Sequence, residues 1–274
     1  NGDIKNSKKL SIHENDYHDV YTDVRGSGNI VANNISIVGN NVENTGADIK
    51  AQDKIEIGAK KNLVIGNLEA VDKKVRDGGK DYISDEKRTN VGSNLNAKDI
   101  SLTSLGDIGI TGSNIVATNK ASIQAKGDIS IVAGKDSVLH KEKHSKSKGF
   151  GRSSSEESVD YATRNVASNV IGDKVNITSE KDVNIFGSNI QANTEGQIKA
   201  DGNITQAGVK DINYSYHKTT KKGFMGLTSK SIMDENYAEK AILSATLAGN
   251  KGLTYDSKNN LILFRSKSSF KWKY

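Results

Sequence analysis

Cysteine and proline are both missing from the 274 residues, and aromatic residues make up only 5%. Without cysteine there is no disulfide framework, no thiolate metal site and no cysteine nucleophile. No apolar run approaches the ~20 residues that a bilayer-spanning helix needs. The chain opens Asn1-Gly2-Asp3, with neither an initiator methionine nor a signal peptide, so an excised piece of a longer polypeptide is expected.

The missing proline is the most informative gap, since an average chain of this size carries about a dozen. Proline cannot donate to a sheet ladder and is confined to edges and bulges. A chain with none is suited to being laddered strand almost throughout. Scarce aromatics and a mean hydropathy of −0.59 suit a disordered chain equally well. Composition leaves both open, and pattern decides.

Laid on itself at an offset of 75, the sequence aligns two long stretches. Ile100 falls on Val175, Leu102 on Ile177, Ile108 on Val183 and Ile110 on Ile185. Gly112-Ser113-Asn114 falls on Gly187-Ser188-Asn189, Ile115 on Ile190, Ile123 on Ile198 and Ile129 on Ile204. An earlier copy matches Asn29 to Asn94, Ile35 to Ile100, and Ile65 to Ile131. A fourth begins near Ser244, with Leu247, Leu253, Leu261 and Leu263 assigned to its apolar slots.

A finer period of 21 separates Leu102 from Ile123, Ile110 from Ile131 and Ile177 from Ile198. Each interval holds apolar-x-apolar pieces bounded by Gly-Asp, Lys-Asp or Gly-Ser-Asn, which reads as short strands between turns. Strands of three residues bury nothing alone, but stacked every turn they line an axial core. The expected fold is all-β: a right-handed parallel β-helix, a solenoid of about eight coils and about 40 Å at ~4.8 Å per coil. Asn29, Asn94, Asn114, Asn169 and Asn189 fall in turn slots, where they either stack as side-chain ladders or simply favour turns.

Four segments break the beat: 13–27, 69–91, 139–167 and 213–243. Residues 1–274 are therefore read as one β-helical repeat domain carrying four insertions. Residues 146–151 (KSKGFG) resemble 221–226 (KKGFMG), and Tyr161 matches Tyr237. Tyr21 and Tyr161 each precede a repeat-opening Asn by eight residues. The insertions are expected to be out-and-back arms or hairpins whose returning limb packs on the rod through Tyr21, Tyr161 and Tyr237. Residues 231–247 offer a competing short helix, because Met233, Tyr237, Ala241 and Ser244 would share a face.

Histidines stand at 13, 18, 140, 144 and 217. The His140/His144 pair has helical metal-binding spacing but too few ligands and too many lysine neighbours, so no metal or cofactor is expected. Carboxylates recur once per turn, as turn chemistry predicts. A carbohydrate-cleaving β-helix would instead hold two acids at a fixed separation, so no catalytic residue is assigned. No phosphate loop, nucleophile elbow or calcium nonapeptide is present.

Lys141, Lys143, Lys146, Lys148 and Arg152, followed one repeat later by Lys218, Lys221 and Lys222, form the clearest electrostatic feature of a chain of net charge +6. Stacked arms would join them into a stripe that attracts polyanions. The candidate partner-binding residues are Lys146, Lys148, Phe150, Lys221, Lys222 and Phe224. A solvated loop is the plain alternative for the lysines, and caps tucked onto the rod for the phenylalanines. Nucleic acid is not expected, for want of a groove-reading element.

The pattern Gly-Ser-Asn-Ile, Gly-Asp-Ile-x-Ile and a Ser/Lys/Gly-rich break, best seen in 92–134 and 167–211, resembles the hemagglutinin-repeat region of filamentous-hemagglutinin-like exoproteins. These are the adhesins and contact-dependent growth inhibition effectors of two-partner secretion. The resemblance implies a β-helical filament passed through an outer-membrane transporter and shown at the Gram-negative cell surface. There it would contact a receptor, lipopolysaccharide or glycan of a target cell. A pure spacer and a carbohydrate-active enzyme are the other readings.

Overall fold

The computed structural model describes residues 2–17, 19–26 and 28–268, so His18 lies outside the described residues. Strand makes up 77% of the chain. Among the described residues the helical structure is one 3-10 turn, Phe224–Gly226.

Two parallel sheets wind into a β-helix. One holds eight short strands in axial order: Ile4–Ser7, Val42–Thr45, Leu63–Gly66, Ile108–Thr111, Ile129–Val132, Val183–Phe186, Ile204–Ala207 and Leu261–Phe264. The other stacks longer strands, from Ile30–Gly39 through Asp48–Ala59, Asn94–Ser104, Asn114–Ala125, Asn169–Ser179 and Asn189–Ala200 to Ser244–Ala248 and Ser266–Ser268. The long strands turn a corner halfway. In Asn114–Ala125 the pairing register shifts there, Thr118, Asn119 and Lys120 are exposed, and Ile115, Ala117, Ala121, Ile123 and Ala125 point inward on either side.

Ile100, Leu102, Ile108, Ile110, Ile115, Ile123, Ile129, Ile131, Val175, Ile177, Val183, Ile185, Ile190, Ile198 and Ile204 are each at most 2% exposed and share one cluster. Leu63, Ile108, Ile129, Val183 and Ile204 sit directly above one another, strand on strand. Branched side chains suit this stacking because each fits against an identical neighbour on the pleat.

Polar ladders hold the corners. Asn114 Nδ2 donates to Asn94 Oδ1 (2.9 Å), Asn169 Nδ2 to Asn114 Oδ1 (2.8 Å) and Asn189 Nδ2 to Asn169 Oδ1 (3.0 Å), while Asn94 Nδ2 reaches Asp48 (2.7 Å). Asn94, Asn114, Asn169 and Asn189 therefore form a side-chain ladder as well as favouring turns, whereas Asn29 Oδ1 accepts the Asp48 backbone N–H (3.3 Å). Beside them, fully buried Ser113, Ser168, Ser188 and Ser244 each accept the N–H of the serine one coil earlier, at 3.0–3.3 Å. At another corner, Asp107, Asp128 and Asp182 each cap the next coil's N–H at 2.6–3.0 Å. The once-per-turn carboxylates are thus turn caps.

The last coil departs from the expected slots. Thr246, not Leu247, pairs with Ile190 and is buried, while Leu247 is 38% exposed. The reason is a polar layer in the axis: buried Gln206 accepts from Thr246 Oγ1 (2.8 Å) and Tyr255 Oη (2.7 Å). Leu253 is buried, whereas Leu261 and Leu263 keep their register but are partly exposed.

The four insertions are antiparallel hairpins, here called arms: Lys9–Glu14 with Val20–Arg25, Leu68–Asp77 with Asp81–Val91, Gly134–Lys148 with Arg152–Val166, and Val209–Lys222 with Ser229–Ile242. All leave from one corner, after every second coil. Where a coil has no arm, Gly46, Gly112 or Gly187 makes that corner with a φ of +51° to +59°, a region that favours glycine.

The arms do not pack their returning limbs on the rod. They pair edge to edge into a third, eight-stranded antiparallel sheet. Nor is 231–247 helical: Ser229–Ile242 is the sheet's last strand, and Ser244–Ala248 returns to the rod. Met233, Tyr237 and Ala241 are spaced by four, which shares a face on a strand as well as on a helix. Pairing with Val209–Lys222 along the whole strand decides for the strand.

We expect Ile110→Asp to destabilise the rod by about 4 kcal/mol or more, since it buries an unpaired carboxylate in the axis. Asn114→Ala, which removes two ladder bonds, should cost about 1–2 kcal/mol. Denaturant melts against an exposed control at the neighbouring corner position, Thr118→Ala, check both. An Ile110→Asp variant melting like the parent protein would contradict the assigned core.

Candidate functional site at the arm tips

Strand alternation gives the arm sheet two faces. Registered pairing places Val138, His140, Glu142, His144, Lys146 and Lys148 on one face of the third arm, and Leu139, Lys141 and Lys143 on the other. Across the sheet, Leu139, Tyr161, Tyr214 and Tyr237 form one transverse row on the second face. Tyr161 and Tyr237 are thus equivalent, but they are not rod anchors. Tyr21 lies on the first face, 6.0 Å from the His13 ring.

The candidate residues divide by face. Lys146, Ser154, Lys221 and Lys230 form one row on the histidine face, with Lys148 opposite Arg152 beyond it. Lys222 points to the tyrosine face beside Ser153. Nearer the rod, Lys143 and Lys218 flank Glu157, so the expected continuous basic stripe is neutralised at mid-arm. Only the tips stay basic. Segments 145–155 and 219–233 together carry Lys146, Lys148, Arg152, Lys221, Lys222 and Lys230 and no acid.

The tips of the third and fourth arms touch. Phe150 and Phe224 lie with ring centroids 6.0 Å apart, and Met225 N donates to Phe150 O at 2.8 Å. Phe150 and Met225 hold positive φ (62° and 50°), a strained state for large residues that the turn and the inter-arm bond maintain. The rings are not tucked onto the rod: Phe150 is 78% exposed, and Met225 and Leu227 are exposed beside it. Lys230, Met225 and Leu227 escaped the sequence reading. Counting the hairpin register back from the Gly223 turn would have placed Lys230 opposite Lys221.

Between the second and third arms, His140 Nδ1 meets Asp85 Oδ1 (2.7 Å) and His144 Nδ1 meets Asp81 Oδ1 (2.9 Å), with Glu142 contacting both imidazoles. Hydrogen bonds to Asp85 raise the His140 pKa, and bonds to Asp81 and Glu142 raise that of His144. The His144 bond also holds Asp81 below the usual carboxylate range. Asp160 and Glu156 face the pair from the third arm's returning strand. Among the described residues no group of three or more His, Asp and Glu could hold a metal ion. Between the first two arms, Arg76 binds Asp19 in bidentate fashion (2.5 and 2.9 Å), which drives the Asp19 carboxyl far down.

The fold and the arms define a parallel β-solenoid with a periodic lateral sheet. The profile of the Hemagglutinin repeat family matches residues 75–153 and 148–261, more than half the chain, and the chain belongs to that family. The matches meet at the tip of the third arm; the first begins near the tip of the second arm, and the second runs past the fourth arm to the rod strand that opens at Leu261. It is a structural and adhesin family, typical of secreted surface exoproteins. No curated protein and no solved structure is significantly similar to the chain. No helix among the described residues is long and apolar enough to cross a membrane.

The seam between the second and third arms should depend on pH. Raised histidine pKa values stabilise it fully below about pH 6.5 and lose that contribution as pH rises through the folded values. The lowered Asp81 acts oppositely, with its contribution lost only on strong acidification. Hydrogen exchange in 81–91 and 134–148, corrected for intrinsic rate, should be slower at pH 6 than at pH 8.5. A His140→Gln/His144→Gln double variant should lack the difference.

Proposed function

We propose that this chain is a structural and interaction segment of a secreted exoprotein. It passes through an outer-membrane transporter and projects from the bacterial surface, where its arm tips contact a target cell. The carrying observation is the pair of joined tips, with six cations, no acid and exposed Phe150, Phe224, Met225 and Leu227. Such a surface favours an anionic, partly apolar partner: lipopolysaccharide, an acidic glycan or an acidic receptor loop. Adhesion and toxin delivery in contact-dependent growth inhibition both need this contact.

The rod contributes spacing. Arms recur every two coils, about 9.6 Å at ~4.8 Å per strand, so weak contacts at successive tips add on one rigid body. Charge reversal at Lys146, Lys148, Lys221 and Lys222 to Glu should reduce binding to lipopolysaccharide-bearing cells about tenfold or more. Far-UV circular dichroism should not change, because all four side chains are exposed. Added salt should weaken the parent protein's binding in the same direction. Undiminished binding by the variant would leave the segment a spacer.

A further inference from the structure

The histidine face of the arm sheet carries a trough of about 730 Å³ that runs across the strands of the second, third and fourth arms. Its floor is the backbone of the row Leu139, Tyr161, Tyr214 and Tyr237, whose side chains face the other way. One wall is Lys74, Asp85, His140, Asp160, Ser215 and Asn236. The other runs Asp72, Lys87, Val138, Ala162, Asn213 and Ala238 in order across the strands.

We infer that this trough is a binding site for an extended, uncharged glycan chain lying across the strands. Three features carry the inference. The walls repeat once per strand, about 4.8 Å, which is close to the length of one pyranose ring in an extended chain. Among the described residues, no side-chain hydrogen bond or ion pair engages the polar groups of Asp72, Lys74, Lys87, Asp160, Asn213, Ser215 and Asn236. They are therefore free to meet hydroxyls, and the small apolar residues between them suit the C–H faces of sugar rings.

Charge supplies the third feature. Asp72, Asp85 and Asp160 at least balance Lys74, Lys87 and His140, whether or not the imidazole is protonated, so the trough has no positive excess to favour a polyanion. That sets it apart from the arm tips, and the two surfaces would take different ligands. A peptide would more readily add to the edge of the sheet than lie across its strands.

Isothermal titration with cellohexaose and with chitohexaose tests the site, with maltohexaose and a heparin hexasaccharide alongside. Saturable binding of at least one of the two extended neutral chains is expected, with weaker binding of the helical maltohexaose. Ala162→Trp, which fills the trough, should abolish it. Asp160→Ala with Asn236→Ala, both at exposed positions, should weaken it about tenfold. Reversal of the tip lysines should leave it unchanged, so failure here and failure of the tip contact are separable. Absence of binding by both extended chains, or full binding by folded Ala162→Trp protein, would overturn the inference. So would a preference for maltohexaose or the heparin fragment.

Discussion

The structure depends on one shared spacing. Parallel coils of the rod and antiparallel strands of the arms are both held at about 4.8 Å by backbone hydrogen bonds. An arm has two strands, and arms leave after every second coil. The width of an arm therefore equals the rise between arms, and neighbouring arms meet edge to edge, through eight and ten residue pairs between the later arms and through Val20 and Lys73 between the first two. An arm after every coil would be crowded, and one after every third would leave unpaired edges. The two-coil repeat, 65 residues from Asn29 to Asn94 and 75 from Asn94 to Asn169, follows from this match as much as from the rod itself.

The two parts are stabilised differently. The rod encloses a column of mainly Ile, Leu, Val and Ala, interrupted by Asn44 near one end and the Gln206 layer near the other, and sealed at its corners by Asn, Ser and Asp ladders. The arm sheet has no comparable core, and most of its side chains meet water on both faces. It relies on long ladders, cross-strand pairs and fixed bases. Asp136 and Asp211 cap the N–H groups of Asn90 and Asn165 at 2.7 Å, and Thr163 caps Ile212 at 2.9 Å, where the sheet joins the rod. Polar surfaces at the tips and in the trough are thus held on a sheet whose geometry the rod dictates.

Much of the rod was legible because burial imposes a period. Ile110 and Ile185 had to face inward in a chain that alternates every two residues and repeats every 21. The arms were visible only as interruptions. Their pairing is a contact between residues 49 to 69 positions apart, on strands with neither face buried in a core, so no hydrophobic alternation sets their register. The joined Phe150 and Phe224 were legible as similar motifs, but their contact was not. The serine ladder escaped for a different reason. Ser113 and Ser188 read as ordinary turn residues until each is seen bonding the next coil.

The corner from which arms leave accepts two solutions: a left-handed glycine turn, as at Gly112 and Gly187, or a hairpin of up to 15 residues per strand. At Gly112, at Gly187 and after the second and third arms, either closes the coil onto the same Ser-Asn pair. The arm is therefore a cassette. Its length and tip can diverge, shrink or be exchanged between relatives while the spine beneath keeps its winding, so surface variety and structural constancy are written in separate stretches of one polypeptide.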